Sequence, residues 1–332
     1  MQHPVLESMI KLSDQQAAEI SSAAAGLYGS PYGEAEEQED FIRTALGMMR
    51  TLPLEVLQAL TDLRSRRDHH GAVLVRGFNL QQQIPTPARW IEASLKQSFE
   101  SEGVLIGAML LLGEPFAFKT QQDGRLVQNI LPTRGMEESQ TNAGSTVFLE
   151  WHVEDAFTPW RGDFVGLLCL RSSPEAYTAY VSVEDLKLSN EAARILFQPR
   201  FFVRPDDAHT GFEHSLDEVV SILYGDETRP YIRYDPLYMI PRGDDLEAKA
   251  VLRLLADEID AKARQVRLEQ GDLLILDNHR IVHARTPFTP RFDGTDRWLQ
   301  RLSVQSDYRE LQISSRWGAH TRVIDPVAGL KA

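Results

Sequence analysis

The sequence predicts an α+β fold in which helices pack on one side of a β-sandwich or barrel. Amphipathic helical segments occupy the first part of the chain, to about residue 100, and short strand-like runs dominate residues of about 101–310. No linker, repeat or composition shift separates two cores. We therefore predict a single domain over residues 1–332, which is long for one domain but within the range of barrels with insertions.

The helical prediction depends on apolar residues that recur at helical spacing. Residues of about 13–25 and 36–66 have this pattern, and Pro53 interrupts the second segment. A further helix is expected after Pro85, over the stretch TPARWIEASLKQSFESEGVLIGAMLLLG, and another over residues 244–271.

Short runs rich in β-branched and aromatic residues predict the strands. They are residues 71–78, 147–152, 164–171, 177–183, 201–203 and 231–234, and the C-terminal segments DLLILDN, RIVHART and RWLQRLSVQ. Between two of these runs, residues 121–145 are polar and rich in turn formers, and we expect a long mobile loop. Loops of this length are usually functional or disordered.

Charge and cysteine content exclude some classes of function. The net charge is −13 and no basic cluster is present, which argues against nucleic acid or an anionic membrane as the main partner but not against a small cationic substrate. Cys169 is the only cysteine, so no intramolecular disulfide can form, which favours a reducing compartment. The N-terminus lacks the pattern of a signal peptide, and we expect a cytoplasmic protein of undetermined oligomeric state.

His152 and Glu154 lie in the apolar stretch FLEWHVEDAF. Residues i and i+2 of a strand face the same side, so the imidazole and the carboxylate are expected to share one space. A His and a carboxylate side by side are two metal ligands. A buried His–Glu pair or an exposed strand edge is the more common meaning of an isolated H-x-E pattern, so the hypothesis needs a third ligand.

Two further histidines, His279 and His283, occur in GDLLILDNHRIVHARTPF. Two histidines and one carboxylate on a β scaffold form the facial triad of non-haem Fe(II) oxygenases, which leaves three positions open. We prefer His283 because it lies within a predicted strand, whereas His279 follows a turn. The pattern HRIVH on a helix would instead indicate a zinc peptidase, but that motif needs Glu where Arg280 stands.

Arg297 and Arg301 in DGTDRWLQRLSV are expected on one face of a strand. Two guanidinium groups there can bind two carboxylates, one of a cosubstrate and one of a substrate. Two surface arginines are the alternative. His209 and His214 are weaker metal candidates because their segment has the composition of a solvated loop.

The stretches LEWHVEDAFTPWRGDFVGLLCLR and DNHRIVHARTPFTPRFDGTDRWLQRL together resemble the clavaminate synthase family of Fe(II)/2-oxoglutarate-dependent oxygenases. They resemble in particular the branch that hydroxylates free amino acids, and the resemblance covers roughly residues 121–304. It implies a double-stranded β-helix (jelly-roll) core flanked by helices. It also implies Fe(II), 2-oxoglutarate and O₂, with His152, Glu154 and His283 as the iron ligands.

The resemblance assigns further roles residue by residue. Arg297, with help from Thr178, would bind the distal carboxylate of 2-oxoglutarate. Arg301 would bind the α-carboxylate of the substrate, and Gln121 and Glu154 would hold its amine. Residues of about 132–145 correspond to a lid over the substrate.

One departure from the family pattern bears on the substrate. Arginine hydroxylases of the family grip the guanidinium with paired acids, whereas here Asp235 is followed by Leu237 where a second acid is expected. One carboxylate suits the ammonium group of lysine better than the planar guanidinium group of arginine. The expected reaction is therefore hydroxylation of free L-lysine. Arginine or another amino acid as substrate, desaturation, and a non-catalytic jelly-roll binding protein are the alternatives.

Overall fold

The computed structural model describes residues 8–68, 70–80, 84–210, 218–309 and 322–325. The helices are α1 (Asp14–Ala25), α2 (Ala35–Met48), α3 (Leu54–Arg64), α4 (Glu100–Met109), α5 (Asn190–Leu196) and α6 (Leu246–Lys262). The strands are β1 (Met9–Lys11), β2 (Ala72–Arg76), β3 (Glu114–Phe118), β4 (Gln128–Ile130), β5 (Leu149–His152), β6 (Phe164–Arg171), β7 (Thr178–Ser182), β8 (Phe201–Val203), β9 (Leu223–Asp226), β10 (Arg229–Ile232), β11 (Met239–Pro241), β12 (Arg264–Val266), β13 (Leu273–Asp277), β14 (Ile281–Arg285), β15 (Trp298–Gln305) and β16 (Val323–Ile324).

The strands form two main sheets. The larger has the order β1-β2-β13-β6-β15-β3-β16, with β4 also paired to β15. The smaller has the order β12-β7-β14-β5 and is antiparallel throughout. Two short antiparallel pairs, β9–β10 and β8–β11, complete the pairing. This architecture confirms the predicted α+β class with a jelly-roll core.

Strand β6 shows how the core is arranged. Val165, Leu167 and Cys169 belong to an apolar cluster that also contains residues of the smaller sheet, and so they face it. The alternate residues, among them Leu168, pack in the cluster that includes the helices. Because both faces of β6 are buried, its sequence is a continuous apolar run rather than an alternating one. Gly166 lies against α4, where an added Cβ would come within 2.8 Å of the Met109 sulfur.

Most predicted elements are confirmed, and two helices are shorter than predicted. The helix expected after Pro85 is divided into a 3-10 helix, Trp90–Leu95, and α4, because the backbone leaves the helical conformation at Lys96, whose buried ammonium pairs with Glu102. The helix expected over residues 244–271 ends at Lys262, where the chain enters β12 and pairs with β7. In both cases tertiary contacts override local helical propensity. Among the described residues, no helix is long and apolar enough to cross a membrane.

Glu102 joins α4 to the larger sheet. Its side chain is fully buried and accepts hydrogen bonds from Lys96 Nζ at 2.6 Å, Tyr32 OH at 2.8 Å and Gln300 Nε2 at 2.8 Å. Gln300 precedes Arg301 on β15, so this buried cluster supports a strand that also carries a predicted site residue.

Replacing Glu102 with Ala is expected to lower the free energy of unfolding by about 3–5 kcal/mol, because Lys96 would remain buried without its counter-charge. Urea denaturation measures the effect. Asp40→Ala is the matched control, because Asp40 and its partner Arg43 are exposed; we expect a change within about 0.5 kcal/mol. Equal effects of the two substitutions would show that the buried pair contributes no more to the free energy of unfolding than the exposed pair does.

Candidate active site

His152 and His283 lie directly opposite each other on neighbouring strands of the smaller sheet. His152 ends β5, His283 is the middle residue of β14, and the two are register partners. Directly opposed residues of an antiparallel pair project on the same face. The two imidazole centroids are 4.4 Å apart. The sheet pairing therefore brings together two histidines that are 131 positions apart in the sequence.

Glu154 joins them from the turn beyond β5. Its carboxylate Oε1 lies 3.3 Å from His283 Nε2 and 3.8 Å from His152 Nε2. Its backbone is held at both polar groups by Asn278, whose Oδ1 accepts from Glu154 N at 2.8 Å and whose Nδ2 donates to Glu154 O at 3.0 Å. Asn278 belongs to the turn between β13 and β14, so the turn that leads to His283 also positions Glu154.

The three side chains form a donor set that suits a metal ion. One ligand atom from each of His152, Glu154 and His283 lies within 4.8 Å of the others. His152 Nδ1 donates to Glu150 O at 2.7 Å, which leaves Nε2 as the ligand atom. Burial opposes ionisation of Glu154, but Arg301 and the two imidazoles lower its pKa well below the ordinary value, so it is a carboxylate. Two imidazoles and a carboxylate are the ligand set of non-haem Fe(II) oxygenases.

His279 does not join this group. Its Nε2 lies 2.7 Å from Asp163 Oδ1, and its Nδ1 contacts the hydroxyl of Tyr224. Both ring nitrogens are thus engaged elsewhere. The HRIVH stretch is a turn followed by β14, not a helix, so the zinc-peptidase alternative has no geometric support.

Asp155 anchors a buried polar network behind Glu154. His209 Nε2 and Gln121 Nε2 each lie 2.9 Å from Asp155 Oδ1, and Thr120 Oγ1 lies 2.7 Å from His209 Nδ1. The His209 side chain is fully buried, so the predicted solvated loop is wrong at this residue; His214 lies outside the described residues. Although Asp155, Asp206 and His209 are close enough to hold an ion, hydrogen bonds occupy both nitrogens of His209.

Arg301 connects this network to the metal residues. Its Nη1 donates to Glu154 Oε2 and its Nη2 donates to Gln128 Oε1. Gln128 Nε2 in turn donates to Gln121 Oε1 at 3.1 Å. The predicted substrate contacts Arg301, Gln121 and Glu154 are therefore brought to one place: Arg301 bonds directly to Glu154 and is linked to Gln121 through Gln128.

Four acidic residues line a cavity beside the metal residues. They are Glu150, Glu154, Asp206 and Asp235, and Arg301 is the single arginine or lysine among the lining residues. Burial raises the pKa of Asp235 to about 7; the charge of His152 opposes this rise, and that of Asp206 adds to it. Among the described residues, neither Asp206 nor Asp235 has an ion-pair partner.

The cavity is small in this conformation. Its volume is about 30 Å³, room for about two water molecules. Gln140, Thr141 and Asn142 of the predicted lid form part of its wall, and Leu237 also lines it. An amino acid can enter only when some of these wall segments move.

Arg297, Thr178 and Arg285 mark a second, cationic region farther along the sheet. Thr178 on β7 is the register partner of Arg285 on β14, so both share the face that carries His283. Arg297, just before β15, is buried, and burial lowers its pKa to about 10. Burial and the charge of Arg297 lower the pKa of Arg285 to about 9. In the described part of the chain, no carboxylate pairs with either arginine.

Sequence reasoning missed several residues that the structure places here. A signal existed for Arg285, because it lies two positions after His283 on the same strand and so shares its face. No local pattern marked Asn278, Glu150 or Asp206 as site residues. Asp206 reaches the cavity from the segment after β8, and sequence spacing alone does not reveal that approach.

Comparisons with known proteins agree with this geometry. Residues 198–303 match the family model described as taurine catabolism dioxygenase TauD, TfdA family. An enduracididine beta-hydroxylase of Streptomyces hygroscopicus is 34% identical, covering 95% of this chain and 99% of the relative. An L-ornithine/L-arginine 3-hydroxylase of Catenulispora acidiphila is 32% identical over 93% and 96%. An L-lysine 3-hydroxylase of the same organism is 31% identical over 81% and 76%.

Solved structures extend the comparison to ligands. The non-haem iron oxygenase OrfP in complex with Fe, succinate and (3S)-hydroxy-L-Arg superimposes with a TM-score of 0.85 at 34% identity, covering 95% of this chain and 99% of that one. Asparagine oxygenase with Fe(II), 3-hydroxyasparagine and succinate gives 0.85 at 32% identity, over 96% and 99%. This chain therefore belongs to the TauD/TfdA family, among its clavaminate synthase-like Fe(II)/2-oxoglutarate-dependent amino acid oxygenases.

Proposed function

We propose that this protein hydroxylates an unactivated side-chain carbon of a free L-amino acid with a cationic side chain. The observation that carries the proposal is the position of the acid-lined cavity beside His152, Glu154 and His283. Asp206 and Asp235 lie in that cavity, and no lysine or arginine of the described residues forms an ion pair with either of them. Buried carboxylates of this kind are stabilised by a bound positive charge.

In this proposal His152, Glu154 and His283 hold the iron. Bound Fe(II) and 2-oxoglutarate supply the activation of O₂, with succinate and CO₂ as the by-products. Arg297 and Thr178 hold the distal carboxylate of 2-oxoglutarate, because they provide a buried guanidinium and a hydroxyl on the metal-facing side of the barrel. The protein's part is to position the two organic molecules and to exclude water from the site.

The amino acid end of the substrate is assigned to Arg301, Gln121 and Glu154. Arg301 binds the α-carboxylate in exchange for part of its contact with Glu154, and the amide of Gln121 lies beside the space for the amine. The network of Asp155 and His209 keeps Gln121 in place. This arrangement binds a free amino acid by both charged ends of its backbone.

The acids of the cavity favour a different substrate side chain from the one that the sequence predicted. Lysine was expected because Leu237 leaves Asp235 as the one acid of its segment. Asp206 comes from a different segment and lies close enough to Asp235 to influence its pKa. Two carboxylates suit a planar guanidinium, which donates in a fork, better than a point-charge ammonium. We therefore propose an arginine-type side chain ahead of lysine.

A panel of free L-amino acids tests the substrate. Anaerobic enzyme is loaded with Fe(II) and 2-oxoglutarate, exposed to air with arginine, lysine, ornithine or asparagine, and assayed for succinate and for a mass gain of one oxygen atom. We expect arginine to have the highest kcat/KM. A higher kcat/KM for lysine would overturn the guanidinium preference, and no amino acid-dependent succinate would overturn the proposed function.

Asp206→Asn is expected to raise KM for arginine by roughly 10–100-fold, because one charge-assisted hydrogen bond is worth about 1.5–3 kcal/mol. Asp207→Asn is the matched control, because the neighbouring side chain is exposed and does not line the cavity. Steady-state kinetics of both variants with arginine and lysine measure the effect. Equal behaviour of the two variants would remove Asp206 from the substrate site.

A further inference from the structure

Arg285 joins two parts of the site that are separate in the sequence. Its side chain is buried, and its two terminal nitrogens donate to main-chain carbonyls of the lid: Nη1 to Gly144 O, and Nη2 to Val147 O at 3.1 Å. Its Nε is buried without a partner. The guanidinium thus clamps the arm of the lid that returns to β5.

The predicted lid, residues 132–145, and the three residues that lead from it to β5, 146–148, are folded together by hydrogen bonds. Thr133 N donates to Ala143 O at 3.0 Å, and Ser145 N donates to Glu137 O at 2.8 Å. Gln140 bonds to both Phe148 O and Glu150 N, at 2.9 and 3.1 Å. Because residues 140–142 form a wall of the substrate cavity, the position of the arm at residues 144–147 sets the position of that wall.

Arg285 also belongs to the cationic region: it is the register partner of Thr178 on β7, and the charge of buried Arg297 lowers its pKa. Two buried guanidinium groups near each other are unfavourable unless an anion lies between or beside them. The distal carboxylate of 2-oxoglutarate is that anion under the proposed function, on which this step rests. A carboxylate there would remove the repulsion that Arg297 exerts on Arg285.

We propose that Arg285 is a positioning residue that couples the lid to the cosubstrate. When the carboxylate of 2-oxoglutarate binds at Arg297, Arg285 is stabilised in the place from which it holds Gly144 and Val147. The lid then closes more firmly, and the wall at residues 140–142 takes its final position before the amino acid binds. Without the cosubstrate, the clamp is weaker and the cavity opens more often. Cosubstrate and lid order are therefore linked through one side chain.

Hydrogen–deuterium exchange of lid peptides tests this coupling without catalysis. Anaerobic Fe(II)-loaded protein is compared with and without 2-oxoglutarate, in the absence of an amino acid. We expect 2-oxoglutarate to slow exchange over residues 132–148 by at least about fivefold, the lower end of typical coupling between sites. In Arg285→Gln this response is expected to disappear, although calorimetry still detects binding of 2-oxoglutarate. Arg285→Lys keeps the charge but cannot span both carbonyls, and should behave similarly.

Arg291→Gln is the control, because Arg291 is exposed on the segment that precedes Arg297. We expect it to keep the wild-type response. A second readout is the ratio of succinate to hydroxylated product, which should rise in the Arg285 variants because a loose lid admits water. A lid that responds equally in wild type and Arg285→Gln would overturn the coupling. The coupling would also be overturned if exchange were faster in the variant than in wild type by the same factor with and without 2-oxoglutarate. That result would indicate a purely structural contact.

Failure of this inference can be told apart from failure of the proposed function. If Arg297→Gln bound 2-oxoglutarate as tightly as wild type, the assignment of the cosubstrate site would fail. If binding depended on Arg297 but the lid did not respond, only the role of Arg285 would fail.

Discussion

Replacing His283 with Ala is expected to reduce both Fe(II) affinity and hydroxylation to background. Loss of a hydrogen-bonded partner outside the metal ligands already costs roughly 10–100-fold in affinity or activity, and loss of a ligand should exceed that. The remaining His152 and Glu154 cannot complete a three-ligand face. Equilibrium titration with Fe(II) under anaerobic conditions and succinate formation after addition of air measure the two effects.

His279→Ala is the matched comparison, because it removes a second imidazole from the same stretch of chain. His279 bonds to Asp163 and contacts Tyr224, away from the proposed ligands. We expect a stability cost of about 1–2 kcal/mol from the lost hydrogen bonds, with Fe(II) affinity close to that of wild type. If His279→Ala abolished metal binding and His283→Ala did not, the ligand assignment would be reversed.

Replacing Arg297 with Gln is expected to weaken binding of 2-oxoglutarate by roughly 100-fold. A guanidinium–carboxylate contact has two charge-assisted hydrogen bonds, each worth about 1.5–3 kcal/mol, and Gln replaces them with at most one neutral bond. Calorimetric titration of 2-oxoglutarate into the anaerobic Fe(II) protein gives the dissociation constant. Arg291→Gln serves again as the exposed control and should leave that constant unchanged.

The same substitution should stabilise the protein when no cosubstrate is present. Arg297 is buried without a carboxylate partner in the described residues, and burial lowers its pKa to about 10. Removing an unpaired buried charge is favourable, so we expect the free energy of unfolding to increase by about 1 kcal/mol. Gains of this size are common when a residue that destabilises the fold for the sake of function is replaced. A variant that both unfolds more easily and binds 2-oxoglutarate normally would refute the anion site.

Strand periodicity made the metal residues predictable. His283 lies in a segment whose composition is typical of a strand, and His152 and Glu154 approach each other as expected, although β5 ends at His152 and Glu154 lies in the turn beyond it. The same reasoning anticipated β6 and β8 with their observed boundaries. It also placed Arg297 and Arg301 near each other, although β15 begins only at Trp298 and has an irregularity before Leu299.

Helix lengths and loop residues were less predictable. Apolar spacing extended the helix after Pro85 across Lys96, because the pattern does not reveal that Lys96 turns in to meet Glu102. His209 was interpreted as solvated from its polar neighbours, yet Phe157 packs against its ring at a centroid distance of 4.6 Å. The mobility of the loop over residues 121–145 stays a prediction.

The sequence by itself determined the combination of helices and strands and the place of the two candidate histidine ligands on strands, because these depend on periods of two or three to four residues that are visible locally. Only the tertiary structure decided which distant groups meet. It brought Asp206 and Asp235 into one cavity, placed His209 against Asp155 and joined Arg285 to Gly144 and Val147. Such contacts depend on how separate segments close on one another around a shared core, and no local pattern records that closure.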